Sequence, residues 1–114
     1  MHEMGIVQSI LDIIEQQMKI HEAKKLVRLD LEFGAMTAVM PDAIRFAFEI
    51  LTKDTRAEGA EVCINIVPIK AVCFDCGYEV TLDTFTPFCP ACSTGTLAIT
   101  EGKDEMKIIS IEIE

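Results

Sequence analysis

The sequence predicts an α+β protein in which two helices cover a small three-stranded sheet, with a cysteine-rich lobe inserted before the last strand. Three observations support this fold class. Two segments repeat apolar residues at helical steps, three segments alternate apolar and polar residues, and four of the five cysteines lie in one stretch with neither pattern. The 114-residue chain is long enough for one ordinary domain or two very small lobes, and half of its residues are hydrophobic.

The first predicted helix covers residues 4–19. Its apolar residues recur at steps of three and four, and Gln8, Asp12, Glu15 and Lys19 take the opposite side. Such a helix has to bury its apolar face against another element of the fold. The predicted apolar face consists of Val7, Ile10, Leu11, Ile14 and Met18.

The first predicted strand runs from Leu26 to Phe33 and ends at Gly34. Within it Leu29, Leu31 and Phe33 alternate with charged residues. Strict alternation places all the apolar side chains on one face of a strand and all the charges on the other. We therefore expect this strand to be half-buried.

The second predicted helix begins at Pro41, because proline has a fixed φ and no amide hydrogen to lose at the first helical position. Polar residues 52–59 after this helix are predicted to form a loop. The predicted apolar stripe of the helix consists of Ile44, Ala47, Phe48 and Leu51.

Two further strands complete the predicted sheet. One lies around residues 61–66 and is closed by Pro68, or has that proline at a sheet edge. The other lies at the end of the chain, around residues 109–113. The apolar positions that alternate with polar ones in these two strands are Val62, Ile64, Ile66, Ile109, Ile111 and Ile113.

The inserted lobe is predicted to cover residues 70–103, which show no helical period and contain two prolines and three of the six glycines. A segment of this size lies below the ~40 residues that a hydrophobic core alone normally stabilises, so it needs a further link. The predicted organisation is an α/β lobe of residues 1–69 plus 104–114, and a ribbon lobe of residues 70–103.

The spacing of four cysteines predicts one structural zinc ion. Cys73 and Cys76, and then Cys89 and Cys92, form two CxxC turns separated by twelve residues. Each turn places two sulfurs on one side of a tight loop, and two turns complete a closed tetrahedron of thiolates that suits Zn²⁺. Gly77 follows the first turn, where a positive φ is often needed. The insertion is therefore predicted to be a zinc-ribbon lobe.

The alternative is that the two CxxC pairs are redox dithiols. A thioredoxin-like CxxC opens a helix, and neither pair here precedes a helical pattern. A closed site of four cysteines has no position for a catalytic water, so it accounts for stability and not for activity. Cys63 lies far from both pairs and is predicted to be a core or strand-edge thiol.

The charge of the chain disfavours two classes of partner. Nineteen acidic residues against ten Lys and Arg give a formal charge of −9, which repels nucleic-acid phosphates and anionic membrane surfaces. The start MHEMGIVQSI lacks the basic region of a secretory signal, and no apolar run approaches ~18 residues. We expect a cytoplasmic protein whose cysteines remain reduced.

The amino terminus offers a second set of metal ligands. The free amine, the His2 amide and the His2 imidazole can close adjacent chelate rings, and Glu3 can supply a fourth ligand. Nitrogen-rich square-planar sets suit Ni²⁺ and Cu²⁺ better than Zn²⁺. The alternative is that His2 is a solvated terminal residue. His21 lacks the second histidine of an HExxH motif and is predicted to lie on the surface at the end of the first helix.

Several of these features occur together in one order: an MHE start, VQSILDIIEQQ, LEFG, RFAFEIL, AEGAEV, the CxxC-x12-CxxC block and a closing IISIEIE. In this order they closely resemble the HypA/HybF family of hydrogenase nickel-incorporation proteins, over essentially the whole chain. The resemblance implies a nickel metallochaperone, not an enzyme, that delivers Ni²⁺ for maturation of [NiFe]-hydrogenase. It maps the nickel ligand onto His2, with Glu3 in support, and the zinc ligands onto the four cysteines.

The resemblance also implies partners. These are a hydrogenase-maturation GTPase and the precursor of the [NiFe]-hydrogenase large subunit. Some relatives form dimers, and the sequence leaves a homodimer open. Some relatives carry histidines inside the CxxC turns, but this chain has none, so pH-sensitive metal exchange through such histidines is not implied here. The alternative function is a zinc-ribbon adaptor that bridges other proteins without delivering metal.

Overall fold

The computed structural model describes residues 3–84, 86–93 and 95–114. Within these ranges the chain forms two α-helices, one short 3₁₀ helix and six β-strands. In chain order the elements are α1 (Glu3–Ile20), β1 (Leu26–Gly34), the 3₁₀ helix (Ala35–Thr37), α2 (Pro41–Thr52), β2 (Glu61–Val67), β3 (Ile69–Cys73), β4 (Glu79–Leu82), β5 (Leu97–Glu101) and β6 (Met106–Ile113). None of the helices in these ranges is both long and apolar enough to cross a membrane.

The strands form two three-stranded sheets, with the orders β2-β1-β6 and β4-β3-β5. In the first sheet, Lys25 and Glu114 exchange backbone hydrogen bonds, and the N–H of Gly34 donates to the carbonyl of Glu105. These two pairings show that β6 runs antiparallel to β1. In the second sheet, β3 pairs antiparallel with both neighbours. The prediction of an α+β fold with a three-stranded sheet, two helices and an inserted lobe is confirmed.

The chain divides into two compact units. The first comprises Met1–Leu31, Val39–Asn65 and Lys107–Glu114, and the second comprises Glu32–Ala38 and Ile66–Met106. In the first unit α1 packs against α2. The buried side chains that α1, β1 and α2 contribute to this unit are Val7, Ile14, Met18, Leu26, Leu29, Leu31, Ile44, Ala47 and Phe48.

Both helices match the sequence prediction closely. The polar side predicted for α1 is exposed, while Ile10 and Leu11 are half-buried beside the three fully buried residues of its apolar face. The second helix begins at Pro41 as predicted. It extends to Thr52, whose buried hydroxyl donates to the carbonyl of Phe48 at 2.7 Å, so the predicted loop starts one residue later.

The alternation predicted for the strands is confirmed in β1 but is wrong in part of β6. Ile111 and Ile113 are half-buried, whereas Ile109 is 55% exposed. The inward positions of β6 step from Ile108 to Ile111, a spacing of three residues, so the period of two is broken between them. Ile66, near the end of β2, is also more exposed than a regular alternation predicts.

Arg56 connects three segments of the first unit. Its guanidinium donates hydrogen bonds to the carboxylate of Glu15 in α1 and to the carbonyl of Ala23, the latter at 2.9 Å. Its own carbonyl accepts a hydrogen bond from the N–H of Leu26, at the start of β1. One side chain and its backbone therefore fix the loop after α2 against α1 and β1.

Candidate metal centre

The four cysteines of the two CxxC pairs come together in the second unit. Their sulfurs all lie within 4.8 Å of one another. The Cys73 and Cys92 sulfurs are 3.7 Å apart, and so are the Cys76 and Cys89 sulfurs. Metal–sulfur bonds of 2.3 Å in a regular tetrahedron require sulfurs about 3.8 Å apart. Two of the six sulfur–sulfur distances match this value and the others are at most 4.8 Å, so the four thiols can surround one metal ion.

Two turns of the same backbone geometry place the sulfurs. Cys73 is the last residue of β3, and the N–H of Gly77 donates to its carbonyl at 3.0 Å. The second turn repeats this, with the N–H of Ser93 donating to the carbonyl of Cys89 at 2.8 Å. Gly77 has a φ of 73° and Ser93 a φ of 67°, both in the left-handed region. The sequence indicated the first position through its glycine and gave no such indication for Ser93.

Backbone amides surround three of the sulfurs. Amide hydrogens that point at a sulfur stabilise its thiolate form, because they offset its negative charge. The N–H groups of Asp75 and Cys76 donate to the sulfur of Cys73, that of Ala91 to Cys89, and that of Gly95 to Cys92, over distances of 3.3 to 3.4 Å. Backbone amides therefore supply hydrogen-bond donors to the sulfurs of Cys73, Cys89 and Cys92.

Gly95 is a site residue that the sequence analysis missed. A β-carbon at this position would overlap the sulfur of Cys73 and lie 3.0 Å from the sulfur of Cys92. It would also lie 3.3 Å from a carboxylate oxygen of Asp75. The cluster therefore closes only where residue 95 has no side chain. The sole sequence indication is a glycine three residues after the last cysteine.

Electrostatics show that the thiolates need a cation. The backbone amide of Tyr78 lowers the pKa of Cys76, but burial and the three neighbouring thiols raise it more, to about 12. Four thiolates at these distances repel one another strongly unless a metal ion lies between them. The lysine that precedes Cys73 by three residues, Lys70, is already paired with Glu101 at 3.4 Å. Residues 71–102 contain Asp75, Glu79, Asp83 and Glu101 but no Lys, Arg or His.

Of the two residues predicted to bind nickel, only Glu3 lies among the described residues. His2 lies outside the described residues. Glu3 is the first residue of α1 and is half-buried. His21 is exposed in the turn after α1, as predicted. Cys63 is half-buried in β2, and the cluster found among the described residues does not include it.

Comparison with known proteins gives consistent matches. Residues 1–113 match the family described as "Hydrogenase/urease nickel incorporation, metallochaperone, hypA". The chain is 40% identical over 114 residues to the "Hydrogenase maturation factor HybF" of Proteus vulgaris, which covers 100% of both chains. It is 39% identical over 113 residues to the "Hydrogenase maturation factor HypA" of Rhodobacter capsulatus, with 99% of each chain covered. The "Solution structure of HypA protein" superposes with a TM-score of 0.69 at 25% identity, over 100% of this chain and 97% of that one.

Proposed function

The chain belongs to the HypA family of hydrogenase/urease nickel-incorporation metallochaperones, and we propose that it binds one Ni²⁺ at its amino terminus and delivers it for maturation of [NiFe]-hydrogenase. This family consists of metallochaperones and maturation factors, so the chain is not an enzyme. The observation that carries the proposal is the family match over residues 1–113, which includes the amino terminus and all four clustered cysteines.

The proposed nickel ligands are the terminal amine, His2 and Glu3. The Glu3 member of this set is the first residue of α1, at the start of a helix. The first amides of a helix have no acceptor within it, so an amide here can release its proton to solvent and bind a metal through its nitrogen without breaking a helical hydrogen bond. The positive end of the helix dipole further favours an ionised amide. A nitrogen-rich set of this kind suits Ni²⁺.

The proposed resident metal of the ribbon is one Zn²⁺ held by Cys73, Cys76, Cys89 and Cys92. Soft thiolates and a tetrahedral spacing of the sulfurs favour zinc, and a set of four protein ligands leaves no open position for chemistry. Its contribution is to link the two turns of a small lobe. We propose a division of roles between a nickel-binding lobe of residues 1–69 plus 104–114 and a zinc-binding ribbon of residues 70–103.

The proposed partners are a hydrogenase-maturation GTPase and the large-subunit precursor of [NiFe]-hydrogenase. A delivery protein has to release its cargo, so its nickel affinity should be moderate. A micromolar site corresponds to about 8 kcal/mol, and each tenfold weakening removes about 1.4 kcal/mol. The place of action is the cytoplasm, where a reducing environment keeps the four thiols available for metal.

The alternative proposal is a zinc-ribbon adaptor with no delivery role, and nickel titration separates the two. Protein that already carries zinc is titrated with Ni²⁺ by calorimetry. A metallochaperone takes up one further Ni²⁺ per chain, and His2→Ala loses at least a hundredfold in affinity while its zinc content stays unchanged. An adaptor takes up no stoichiometric nickel, and this result would exclude the delivery proposal in favour of the adaptor.

A further inference from the structure

The second sheet has one buried face and one open face. Along β3, the side chains of Ile69, Ala71 and Cys73 are buried, whereas Lys70 is exposed and Val72 half-buried. Since successive side chains of a strand point to opposite faces, Lys70, Val72 and the residue after Cys73 share the open face. That next residue is Phe74, whose side chain is 73% exposed.

Two exposed rings flank a threonine on this open face. The register of β3 and β5 pairs Cys73 with Leu97, and the N–H of Phe74 donates to the carbonyl of Thr96 at 3.0 Å. Thr96 in turn forms an antiparallel bridge with Phe88, which is 58% exposed. Directly opposed residues on neighbouring strands project to the same face. We name Phe74, Thr96 and Phe88 the aromatic row.

The aromatic row has room for one side chain. Neighbouring strands lie about 4.8 Å apart, so the backbones that carry the two rings are roughly 10 Å apart, with Thr96 between them. Next to the row, the open face holds a shallow depression of about 460 Å³ lined by residues that include Lys70, Val72, Glu79 and Thr100. A short extended segment could therefore lie across the rings and continue along β3.

The charge of the ribbon lobe indicates which class of partner can bind the open face of the second sheet. Residues 70–103 carry four acidic side chains against two basic ones, Lys70 and Lys103. On the open face the ammonium of Lys70 is paired with Glu101 at 3.4 Å, and Glu79 stands opposite Val72. A zinc ion held by four thiolates would add two further negative charges. Nucleic acid and anionic lipid are repelled, and so is a second copy of a chain with a charge of −9. A cationic segment gains ion pairs here, and Arg can also stack on exposed rings.

We propose that the aromatic row docks a basic segment of a partner protein, with one aliphatic side chain over Thr96 and Lys or Arg on either side of it. Exposed aromatic side chains on a rigid backbone are typical anchors of interfaces, because they bury large apolar areas at little cost in conformational entropy. Both rings are attached to the cysteine turns, so the proposed metal also fixes their spacing. The inference does not depend on nickel binding at the amino terminus.

The test uses the zinc-loaded full chain, labelled with ¹⁵N, and three blocked pentapeptides. The first has a central leucine with two arginines on each side, the second replaces the leucine by serine, and the third replaces the arginines by glutamates. We expect the first peptide to shift the amide signals of Phe74, Glu79, Phe88 and Thr96. The serine peptide should bind at least fivefold more weakly, and the glutamate peptide should not bind.

Exposed-ring variants complete the experiment. Phe74→Ser and Phe88→Ser should each weaken the leucine peptide at least tenfold with unchanged zinc content. The matched control is Phe46→Ser, because this ring on α2 is 65% exposed and should not affect binding. The proposal is overturned if no peptide binds, if the shifts lie elsewhere, or if the serine peptide or the ring variants bind equally well. Nickel is absent from this titration, so a failure of the nickel site would not alter the result.

Discussion

A β-carbon at Gly95 would overlap the sulfur of Cys73, so the backbone of residue 95 lies against one of the four proposed zinc ligands. The same residue donates its N–H to the sulfur of Cys92 at 3.3 Å and accepts the N–H of Cys89 at its carbonyl at 2.9 Å. Gly95 therefore contacts three of the four cysteines. It contributes to the metal site through its backbone hydrogen bonds, and because it has no side chain where the sulfur of Cys73 lies.

The first prediction follows from this contact. Gly95→Ala should lower zinc affinity at least tenfold, because the new methyl group has to displace a ligand sulfur or the backbone between two cysteines. Competition with a chromogenic chelator measures the affinity. The matched control is Gly5→Ala in α1, where a β-carbon meets no atom within 4 Å and alanine is favoured in a helix by about 1 kcal/mol. Unchanged zinc affinity in Gly95→Ala would show that the site relaxes freely around residue 95.

The second prediction concerns the dependence of the ribbon on its metal. Cys92→Ala should leave residues 70–103 without stable structure while α1 and α2 persist, because the binding energy of a structural metal is part of the folding energy of a small lobe. Hydrogen exchange of backbone amides reports both regions at once. The matched control is Cys63→Ala, since Cys63 lies in β2 outside the four-sulfur cluster. A ribbon that stays protected without metal would contradict this account.

The sequence predicted best the elements that are long enough to repeat the spacing of their buried apolar residues several times. Helix α1 has 18 residues and strand β1 has nine, so each repeats its apolar spacing several times. The cysteine site was also predictable, because the ligand types and the CxxC spacing carry its geometry locally. The strands of the second sheet have only four or five residues, too few to show an alternation beside cysteines and turn residues.

The features that sequence reasoning missed depend on contacts through space. Gly95 is needed because the sulfur of Cys73, 22 positions earlier in the chain, occupies the place of its side chain. Phe74 and Phe88 become neighbours of Thr96 only through strand pairing. The exposure of Ile109 follows from a break in the alternation of β6, which the isoleucines at positions 108, 109, 111 and 113 do not reveal. A single sequence contains no local pattern for any of these.

The third prediction is a pH dependence of the ion pair between Glu15 and Arg56. The hydrogen bond from Arg56 lowers the pKa of Glu15, partly opposed by burial. A carboxyl whose folded pKa is lowered adds stability above its unfolded pKa, near 4.5, and this contribution is lost as the pH falls through the folded pKa. Because the pair is partly exposed, we expect a contribution of about 0.5 kcal/mol at neutral pH.

A double-mutant cycle isolates that contribution. Glu15→Gln, Arg56→Met and the double variant are unfolded in urea with circular dichroism at the helical signal, at neutral pH and at a pH below the folded pKa of Glu15. The coupling free energy between the two residues should be measurable at neutral pH and should vanish in acid. A coupling that persists in acid would show that the hydrogen bonds of Arg56, and not the charge of Glu15, stabilise this contact.

The fourth prediction concerns the polar side of α1 as a docking surface for the GTPase partner. Asp12→Lys should weaken partner binding several-fold and leave nickel binding intact. Asp12 is exposed and accepts a hydrogen bond from Gln8, and it takes part in none of the ion pairs found among the described residues. Reversal of Glu15 is less informative because it also removes the contact with Arg56. Unchanged affinity in a surface-binding assay would place the partner elsewhere.

The last prediction concerns the amino terminus itself. If nickel is held by the free amine together with the His2 imidazole and the amides of His2 and Glu3, the side chain of His2 is necessary but not sufficient. Two residues added ahead of Met1 keep every side chain but move the amine out of reach. Nickel affinity should then fall sharply, or the coordination of Ni²⁺ should change from planar to six-coordinate. The zinc content should stay constant.

Calorimetry measures the nickel affinity, and the visible absorption of planar Ni²⁺ reports the coordination geometry. His2→Ala should lose nickel in the natural and the extended chain, whereas His21→Ala should be neutral, because His21 lies exposed beyond the far end of α1. Equal affinity and an equal spectrum in the extended chain would exclude the terminal amine, and His2 would then have to bind nickel with side-chain ligands. Full nickel affinity in His2→Ala would move the nickel site away from the terminus and favour the zinc-ribbon adaptor.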